Sequence, residues 1–464
     1  MLRSKYQGSR FSENPVVKKK QLNPMTLVVL GYLLLIAVGA VLLRLPVSMK
    51  TPITFLDALF TATSAVCVTG LSVLDVSASF THFGDWVLLV LMQLGGLGIM
   101  TVSTTLILLA GMHPGFNHQS VLLSAFSQEG NIDPSKILKA VLPFTFILEL
   151  IGAALYFTQF SGDRLYDRIF VSVFQAVSSF CNVGFTLFPD SLVQFQLNPL
   201  VNVSTCVLAL AGGFGFLAVT ELRYLFDFKQ HKVRKISLHT HIATIGTLFV
   251  VVASVLVFCL TEWSNALGDL SIGQKLETTL FMAFTSRTAG LNTVDVPALC
   301  ASSLFFFIVI MFIGANPGSC GGGVKVTTAA VIGLLGFNRL LGREKTQVLG
   351  RTIPETTVDK AVRIFIVAIV VIVLATLVLL CTEIPGGVSG AGQSSFLKVL
   401  FEVVSAYSTC GLSMGLTGEL STVGRVVICC VMFIGRMGPL FLISAVAGRV
   451  QNTTWFAEED IMVG

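Results

Sequence analysis

Four short segments of this chain share one pattern, and that pattern constrains the fold more than any other feature. They are Cys67-Val-Thr-Gly70-Leu-Ser72, Cys181-Asn-Val-Gly184-Phe-Thr186, Arg287-Thr-Ala-Gly290-Leu-Asn292 and Ser408-Thr-Cys-Gly411-Leu-Ser413. In each, a Gly is followed by Leu or Phe and then by Ser, Thr or Asn. The segments recur at intervals of roughly 110 residues, as expected of four copies of one structural unit. Each ends a short apolar stretch, at Phe55 to Val66, Ile169 to Phe180, Leu276 to Ser286 and Phe396 to Ser408. As helices, these stretches are too short to cross a hydrocarbon layer of about 30 Å, so they read as re-entrant half-helices. Ten residues before the Gly, three copies carry Phe60, Phe174 and Phe401, and six before it the same copies carry Ser64, Ser178 and Ser405.

Membrane-length apolar stretches flank each half-helix, at about Thr26 to Leu43, Trp86 to Leu109, Val141 to Phe160, Leu200 to Val219, Ile242 to Leu260, Leu304 to Leu334, Ala361 to Leu380 and Val426 to Val446. Eight spans are therefore expected. The composition agrees: 54% of the residues are hydrophobic and 12% charged, about half the charge share of a soluble domain, and the mean hydropathy is +0.84. The first apolar run follows six basic residues, yet it reads as a span rather than a secretory signal because further spans follow. Two-thirds of the 30 Lys and Arg fall on one side of this topology. They lie in the N-terminal tail, in inner loops holding Lys136 and Lys139, Arg223 to Lys235 and Arg339 to Arg363, and at Arg449, which predicts both termini in the cytoplasm. No basic stripe points to nucleic acid. The ten Cys lie mostly in apolar runs, without disulfide or zinc spacing, and read as small apolar residues.

Non-helical backbone at membrane depth must be buried in protein or line water. Four glycine turns converging on one axis would present a ring of carbonyl oxygens that replaces the hydration shell of potassium, a cation that releases water more cheaply than sodium. Gly suits dihedrals that a Cβ disfavours, and the half-helices would aim their partially negative C-terminal ends at the cavity. The candidate filter residues are Val68, Thr69 and Gly70; Asn182, Val183 and Gly184; Thr288, Ala289 and Gly290; and Thr409, Cys410 and Gly411. Glycines serving only tight helix packing are the competing reading. Past each turn lies one carboxylate, Asp75, Asp190, Asp295 and Glu419, which are either a ring concentrating cations at an outer mouth or ordinary solvated loop acids.

The second long stretch of each copy is also marked by glycine: Gly95-Gly96-Leu-Gly98, Gly212-Gly213-Phe-Gly215 and Gly435-Arg-Met-Gly438-Pro439. The third copy is the outlier, because Gly314, Asn316, Pro317, Gly318, Ser319, Cys320, Gly321, Gly322 and Gly323 cannot stay in a regular helix. A helix broken at the midplane marks an ion site or a gate. The stretch Gly318 to Lys325 fails the phosphate-loop pattern, since Val324 separates Gly323 from Lys325 and Val326 follows. Charges at membrane depth are costly and presumed useful. Arg436, at the depth of the break, would hold loop carbonyls across the pore, and Lys325 joins this gate. Glu149 and Arg287 read as members of structural ion pairs. His239 and His241 lack partners in metal spacing, and no nucleophile and base pair stands out, so no enzyme activity is expected. Asn202-Val-Ser204 and Asn452-Thr-Thr454 match the glycosylation pattern as readily by chance as by design.

From about Asn23 to the C-terminus the chain resembles the Trk/Ktr/HKT superfamily of potassium transporters, most closely the KtrB-type membrane subunits of bacteria. The resemblance is carried by Thr285-Ser-Arg-Thr-Ala-Gly-Leu-Asn-Thr293, Ala65-Val-Cys-Val-Thr-Gly-Leu-Ser72, Gln93-Leu-Gly-Gly-Leu-Gly-Ile-Met100 and the Gly-Arg-Met-Gly-Pro of 435 to 439. It implies an all-α polytopic protein with four M1-P-M2 repeats (eight transmembrane helices, four pore helices) in pseudo-fourfold array around one central pore. The repeats would span 25–112, 137–226, 238–340 and 359–449, between a tail at 1–24 and another at 450–464. Filter glycines map onto Gly70, Gly184, Gly290 and Gly411, the gating loop onto about Ile313 to Val324, and the pore-lining arginine onto Arg436. The resemblance further implies potassium as the cargo, a homodimer with one pore per subunit, the bacterial plasma membrane, and a cytoplasmic KtrA-like ring of RCK fold that binds nucleotide. Relatives with Ser at the first filter position favour sodium, so Gly70 argues for potassium; a sodium-coupled or sodium-conducting carrier is the alternative. Cys67, Cys181, Cys410, Asn316-Pro317 and Cys320 depart from the family pattern.

Overall fold

The computed structural model of the protein describes residues 24–97, 134–162, 164–216, 218, 219, 221, 237–383 and 393–438. Outside them lie almost all of the N-terminal tail, the whole C-terminal tail, the outer limits of the first, second and fourth repeats, Arg223 to Lys235, Gly98, Pro439, Arg449 and Asn452, and the side chains of Lys136 and Lys139.

The short helices are α2 (Phe55–Cys67), α6 (Leu165–Cys181), α9 (Ile272–Thr288) and α13 (Gln393–Ser408). Three of them start three or four residues before the apolar runs do. Thr54 and Asp57 form a capping box on α2, and Ser271 and Gln274 form one on α9. The longest still has 17 residues, about 26 Å of helix and less than the hydrocarbon thickness.

Around them stand α1 (Pro24–Leu43) with α4 (His82–Gly96), α5 (Pro134–Gln159) with α7 (Pro199–Gly213), α8 (Leu238–Glu262) with α10 (Ala301–Phe312), and α12 (Glu355–Glu383) with α14 (Thr422–Met437). A single turn, α3 (Val76–Ser79), follows the first short helix, and α11 (Val326–Leu340) resumes beyond the interruption after α10. Three described helices are long and apolar enough to cross a membrane, within Val141–Gln159, Leu238–Glu262 and Glu355–Glu383, and several others are apolar but shorter.

Each short helix packs between its two long neighbours, and the second of those neighbours also packs on the next short helix: α4 on α6, α7 on α9, α10 on α13, and α14 back on α2. The order closes on itself. Side chains at one end of each pair reinforce it. Gln159, Glu262 and Glu383 are the final residues of α5, α8 and α12, and each accepts a hydrogen bond from the start of the second helix: Asn198 Nδ2 at 2.9 Å, Cys300 N–H at 2.8 Å and Ser421 N–H at 2.7 Å. In the first copy Thr81, which caps α4, donates to the Val47 carbonyl at 2.5 Å. These bonds satisfy orphan groups that would otherwise lie bare at helix ends.

One expectation needs correction. The chain is not wholly α, because β1 (Gln347–Val348) and β2 (Arg351–Thr352) form a two-residue antiparallel hairpin after α11. Leu349 and Gly350 both have positive φ, 49° and 71°, the backbone of a tight primed turn. Ile353 then packs with Val331, Val358 and Ala361 in a small separate core.

Candidate functional site

The four motif glycines all have positive φ: 85° at Gly70, 87° at Gly184, 65° at Gly290 and 98° at Gly411. Their surroundings are cyclic. A Cβ on Gly70 would collide with the Val183 carbonyl oxygen, one on Gly290 with that of Cys410, and one on Gly411 with that of Thr69, while one on Gly184 would stand 2.9 Å from the Ala289 oxygen. Each glycine therefore abuts the carbonyl that precedes the next glycine, and the fourth turn returns to the first. Of the candidate filter residues, the four glycines meet one another and the carbonyls of Thr69, Val183, Ala289 and Cys410 in this way.

The copies are not identical. Val68, Asn182 and Thr409 adopt left-handed backbone at φ 59°, 58° and 50°, a strained state for the β-branched Val and Thr. A bond then reaches five residues back, from Thr69 N–H to the Ser64 carbonyl, Val183 N–H to Ser178 and Cys410 N–H to Ser405, at 2.8–2.9 Å. In the third copy Thr288 remains helical, and Gly290 itself donates to the Thr285 carbonyl at 3.2 Å. That helix winds one residue further toward its glycine.

The rest of the motif has a local cause. Leu71, Phe185, Leu291 and Leu412 are buried anchors. The following Ser72, Thr186 and Ser413 hydroxyls accept the N–H two residues on, from Leu74, Phe188 and Gly415, and Asn292 donates to the Val294 carbonyl. These are side-chain turns that redirect the chain. Two of the serines six residues before the glycine act across the turn: Ser178 donates to the Phe185 carbonyl at 2.5 Å and Ser405 accepts from Gly411 N–H at 3.1 Å. Ser64 Oγ has no partner among the described residues. Phe60, Phe174 and Phe401 are core residues.

The glycine pairs of the second helices permit backbone contact. A Cβ on Gly95, Gly212 or Gly435 would overlap the carbonyl of Val66, Phe180 or Tyr407, each four residues before a motif glycine. In the third copy α10 stops at Phe312, and the chain runs as a loop to Lys325. Gly314 N–H donates to the Val324 carbonyl at 2.8 Å, pinching the loop at its base. Backbone bonds join the loop to the second copy, from Asn316 N–H to Gly213, Cys320 N–H to Gly212 and Phe216 N–H to the Gly318 carbonyl, and Ser319 Oγ donates to the Asn316 carbonyl. The Asn316 amide donates to Phe214 and Thr247. Pro317 supplies no N–H, and its carbonyl faces Gly215. The loop also touches the turns: Gly322 N–H donates to Thr409 Oγ1 at 2.9 Å, and a Cβ on Gly321 would stand 2.8 Å from Thr288 Cγ2. Gly323 packs on Ser408.

Arg436 donates to the Cys320 carbonyl in this loop and to the Gly95 carbonyl on α4. Lys325 Nζ donates to the Gly321 carbonyl at 2.6 Å. Glu149 and Arg287 do not match expectation. Glu149 accepts from Gln93 Nε2 at 3.0 Å and lies 3.9 Å from Cys181 Sγ, and Arg287 is buried with its Nε unpartnered; neither forms an ion pair with a described residue. Their solitude in sequence did not reveal that an amide and a thiol meet Glu149. The outer acids are all exposed. Asp75 caps α3 through Ser77, Glu419 pairs with Lys398 at 3.0 Å, and Asp190 and Asp295 accept turn N–H groups through their carbonyls. Asn202 is buried and bonded to Glu277, which rules it out as a glycan acceptor.

The TrkH cation transport protein family matches residues 25–449. The Ktr system potassium uptake protein B of Bacillus subtilis (strain 168) is 34% identical over 97% of this chain and 99% of its own length. The potassium/sodium uptake protein NtpJ of Enterococcus hirae is 33% identical over 96% of this chain and 98% of its own. Among solved structures, the potassium transporter TrkH from Vibrio parahaemolyticus superposes with a TM-score of 0.72 at 18% identity, covering 92% of this chain and 86% of that one, which speaks to the fold. With a family match over nearly the whole chain and relatives of this identity along their full lengths, this chain belongs to the TrkH cation transport protein family.

Proposed function

We propose that this chain is the translocating subunit of a Ktr-type potassium uptake system. Potassium passes through a central filter made by the carbonyls of Val68 to Gly70, Asn182 to Gly184, Thr288 to Gly290 and Thr409 to Gly411, and the loop from Ile313 to Val324 restrains it. The observation that carries this reading is the cyclic abutment of Gly70, Gly184, Gly290 and Gly411, each on the carbonyl before the next. A ring of peptide oxygens substitutes for the hydration shell of a potassium ion. Arg436 holds the loop through the Cys320 carbonyl and so adds a positive charge beside the ion path. The four exposed acids Asp75, Asp190, Asp295 and Glu419 raise cation concentration at the outer mouth.

The architecture in this reading is four M1-P-M2 repeats, with eight spans and four pore helices, in the bacterial plasma membrane with both termini cytoplasmic. The chain works as a homodimer on a cytoplasmic RCK-type, KtrA-like ring that binds nucleotide, and sodium acts as activator or co-substrate at most. The relative named for both potassium and sodium uptake keeps sodium conduction as the rival outcome. The test is growth rescue and potassium uptake in transporter-deficient cells, with and without a regulatory partner, together with potassium and sodium flux through Gly290→Ser and Gly411→Ser. Potassium uptake that loses its preference over sodium in these variants supports the filter; a preference unchanged in both variants refutes it.

A further inference from the structure

Glu402 lies on α13, nine residues before Gly411, and is fully buried. A carboxylate without water requires strong donors. Two side chains from beyond the turn supply them: Ser413 Oγ donates to Oε2 at 2.9 Å and Thr417 Oγ1 donates to Oε1. Ser413 in turn accepts the Gly415 N–H. One side chain therefore ties the helix that enters the fourth turn to the chain two and six residues after Gly411. From the other side, Ser405 holds Gly411 and Cys410 through its hydroxyl and its carbonyl.

Among the described residues no other copy carries this device. At the matching position Thr61 donates to the Asp57 carbonyl within its own helix, Gln175 donates to Ser179 within its own helix, and the third copy has Phe281. The fourth turn is also where the ring closes, since Gly411 abuts the Thr69 carbonyl and the Cys410 carbonyl abuts Gly290. Through Thr409 it meets the loop as well.

We propose that Glu402 is a positioning residue for ion discrimination: by bonding Ser413 and Thr417 it fixes the fourth turn, so that its carbonyls cannot follow a smaller cation inward. This rests on the filter reading above. Selectivity that depends on how many carbonyl dipoles stay in place is weakened when one quarter of the ring loosens.

The test measures potassium and sodium flux of the full chain in proteoliposomes, for wild type, Glu402→Ala, Glu402→Gln and Thr417→Val, with Gly411→Ser as reference. Glu402→Ala strands two buried hydroxyls, and the preference for potassium falls about tenfold. Glu402→Gln keeps an acceptor of the same shape for hydroxyls that can rotate, and its preference stays within about threefold of wild type. A folded Glu402→Ala with wild-type preference overturns the proposal while Gly411→Ser loses it; if Gly411→Ser keeps it too, the filter reading itself has failed. Should Glu402→Ala not fold, Thr417→Val removes one donor at constant volume, and an unchanged preference in that variant overturns the proposal equally.

Discussion

The guanidinium of Arg425 stands 2.5 Å from the carboxylate of Asp57, joining α14 to α2 across the seam where the ring closes. The Asn202 amide bonds Glu277 at 2.7 Å across the seam between α7 and α9. Both acceptors lie thirteen residues before a motif glycine, and both donors ten residues before a helix-packing glycine, so the two contacts are equivalent although their residue types differ. Arg425→Met leaves the buried Asp57 with only its helix cap and is expected to cost about 2 kcal/mol. Thermal unfolding of purified protein measures it, and a cycle with Asp57→Asn should return a coupling of about 1 kcal/mol or more; simple additivity would remove the seam's role.

Gly212 and Gly213 are adjacent yet should respond oppositely to Ala. A Cβ at Gly212 overlaps the Phe180 carbonyl oxygen, whereas at Gly213 the nearest atom is 3.5 Å away. Gly212→Ala forces α7 off α6 and is expected to cost about 3 kcal/mol or more, seen as loss of folded protein on size exclusion. Gly213→Ala should keep wild-type yield and melting temperature.

The loop prediction concerns Thr409. Its hydroxyl receives the Gly322 N–H, and Thr409→Val leaves that buried donor unmade at about 1–3 kcal/mol. With the loop as gate, this penalty falls on the closed state and raises potassium flux about tenfold. Deleting Ala315 to Gly322 should raise flux further. Flux unchanged or lowered in both folded variants would remove the gate.

Acid sensitivity is expected at Glu221, which accepts bonds from Ser237 N–H, Ser237 Oγ and Thr240 Oγ1 and so caps α8. Burial pushes its carboxyl up, but the bonds from Thr240 and Ser237, with the His239 ring nearby, outweigh burial and hold it below the usual carboxylate range. A depressed value stabilises the folded state above the unperturbed value of about 4.3 and loses that contribution as pH falls through the folded one. The stability difference between wild type and Glu221→Gln should be constant from pH 7 to 5 and shrink below about pH 4; a difference that does not change with pH would exclude Glu221 as a source.

The motif was legible because its causes are local. Positive φ demands Gly, the next residue must anchor in the core, and the one after must turn the chain, so each position restricts its own residue type. The interruption of the third second helix was legible for the same reason, since Pro317 and its glycines oppose a helix by themselves. Other features had no local trace. The amide that meets Glu149 and the helix-end bonds of Gln159, Glu262 and Glu383 depend on partners far along the chain.

By itself, then, the order of residues determined where the backbone turns and which stretches need an apolar surrounding, because dihedral sterics and hydrophobic length act within a few neighbours. Only the tertiary structure decided which carbonyl each glycine abuts, that Arg436 grips Cys320 and Gly95 together, and that Glu402 closes over the fourth turn. Those contacts join residues separated by whole helices, and their partners are selected by burial, which leaves a polar group whatever donor or acceptor the packing brings within reach.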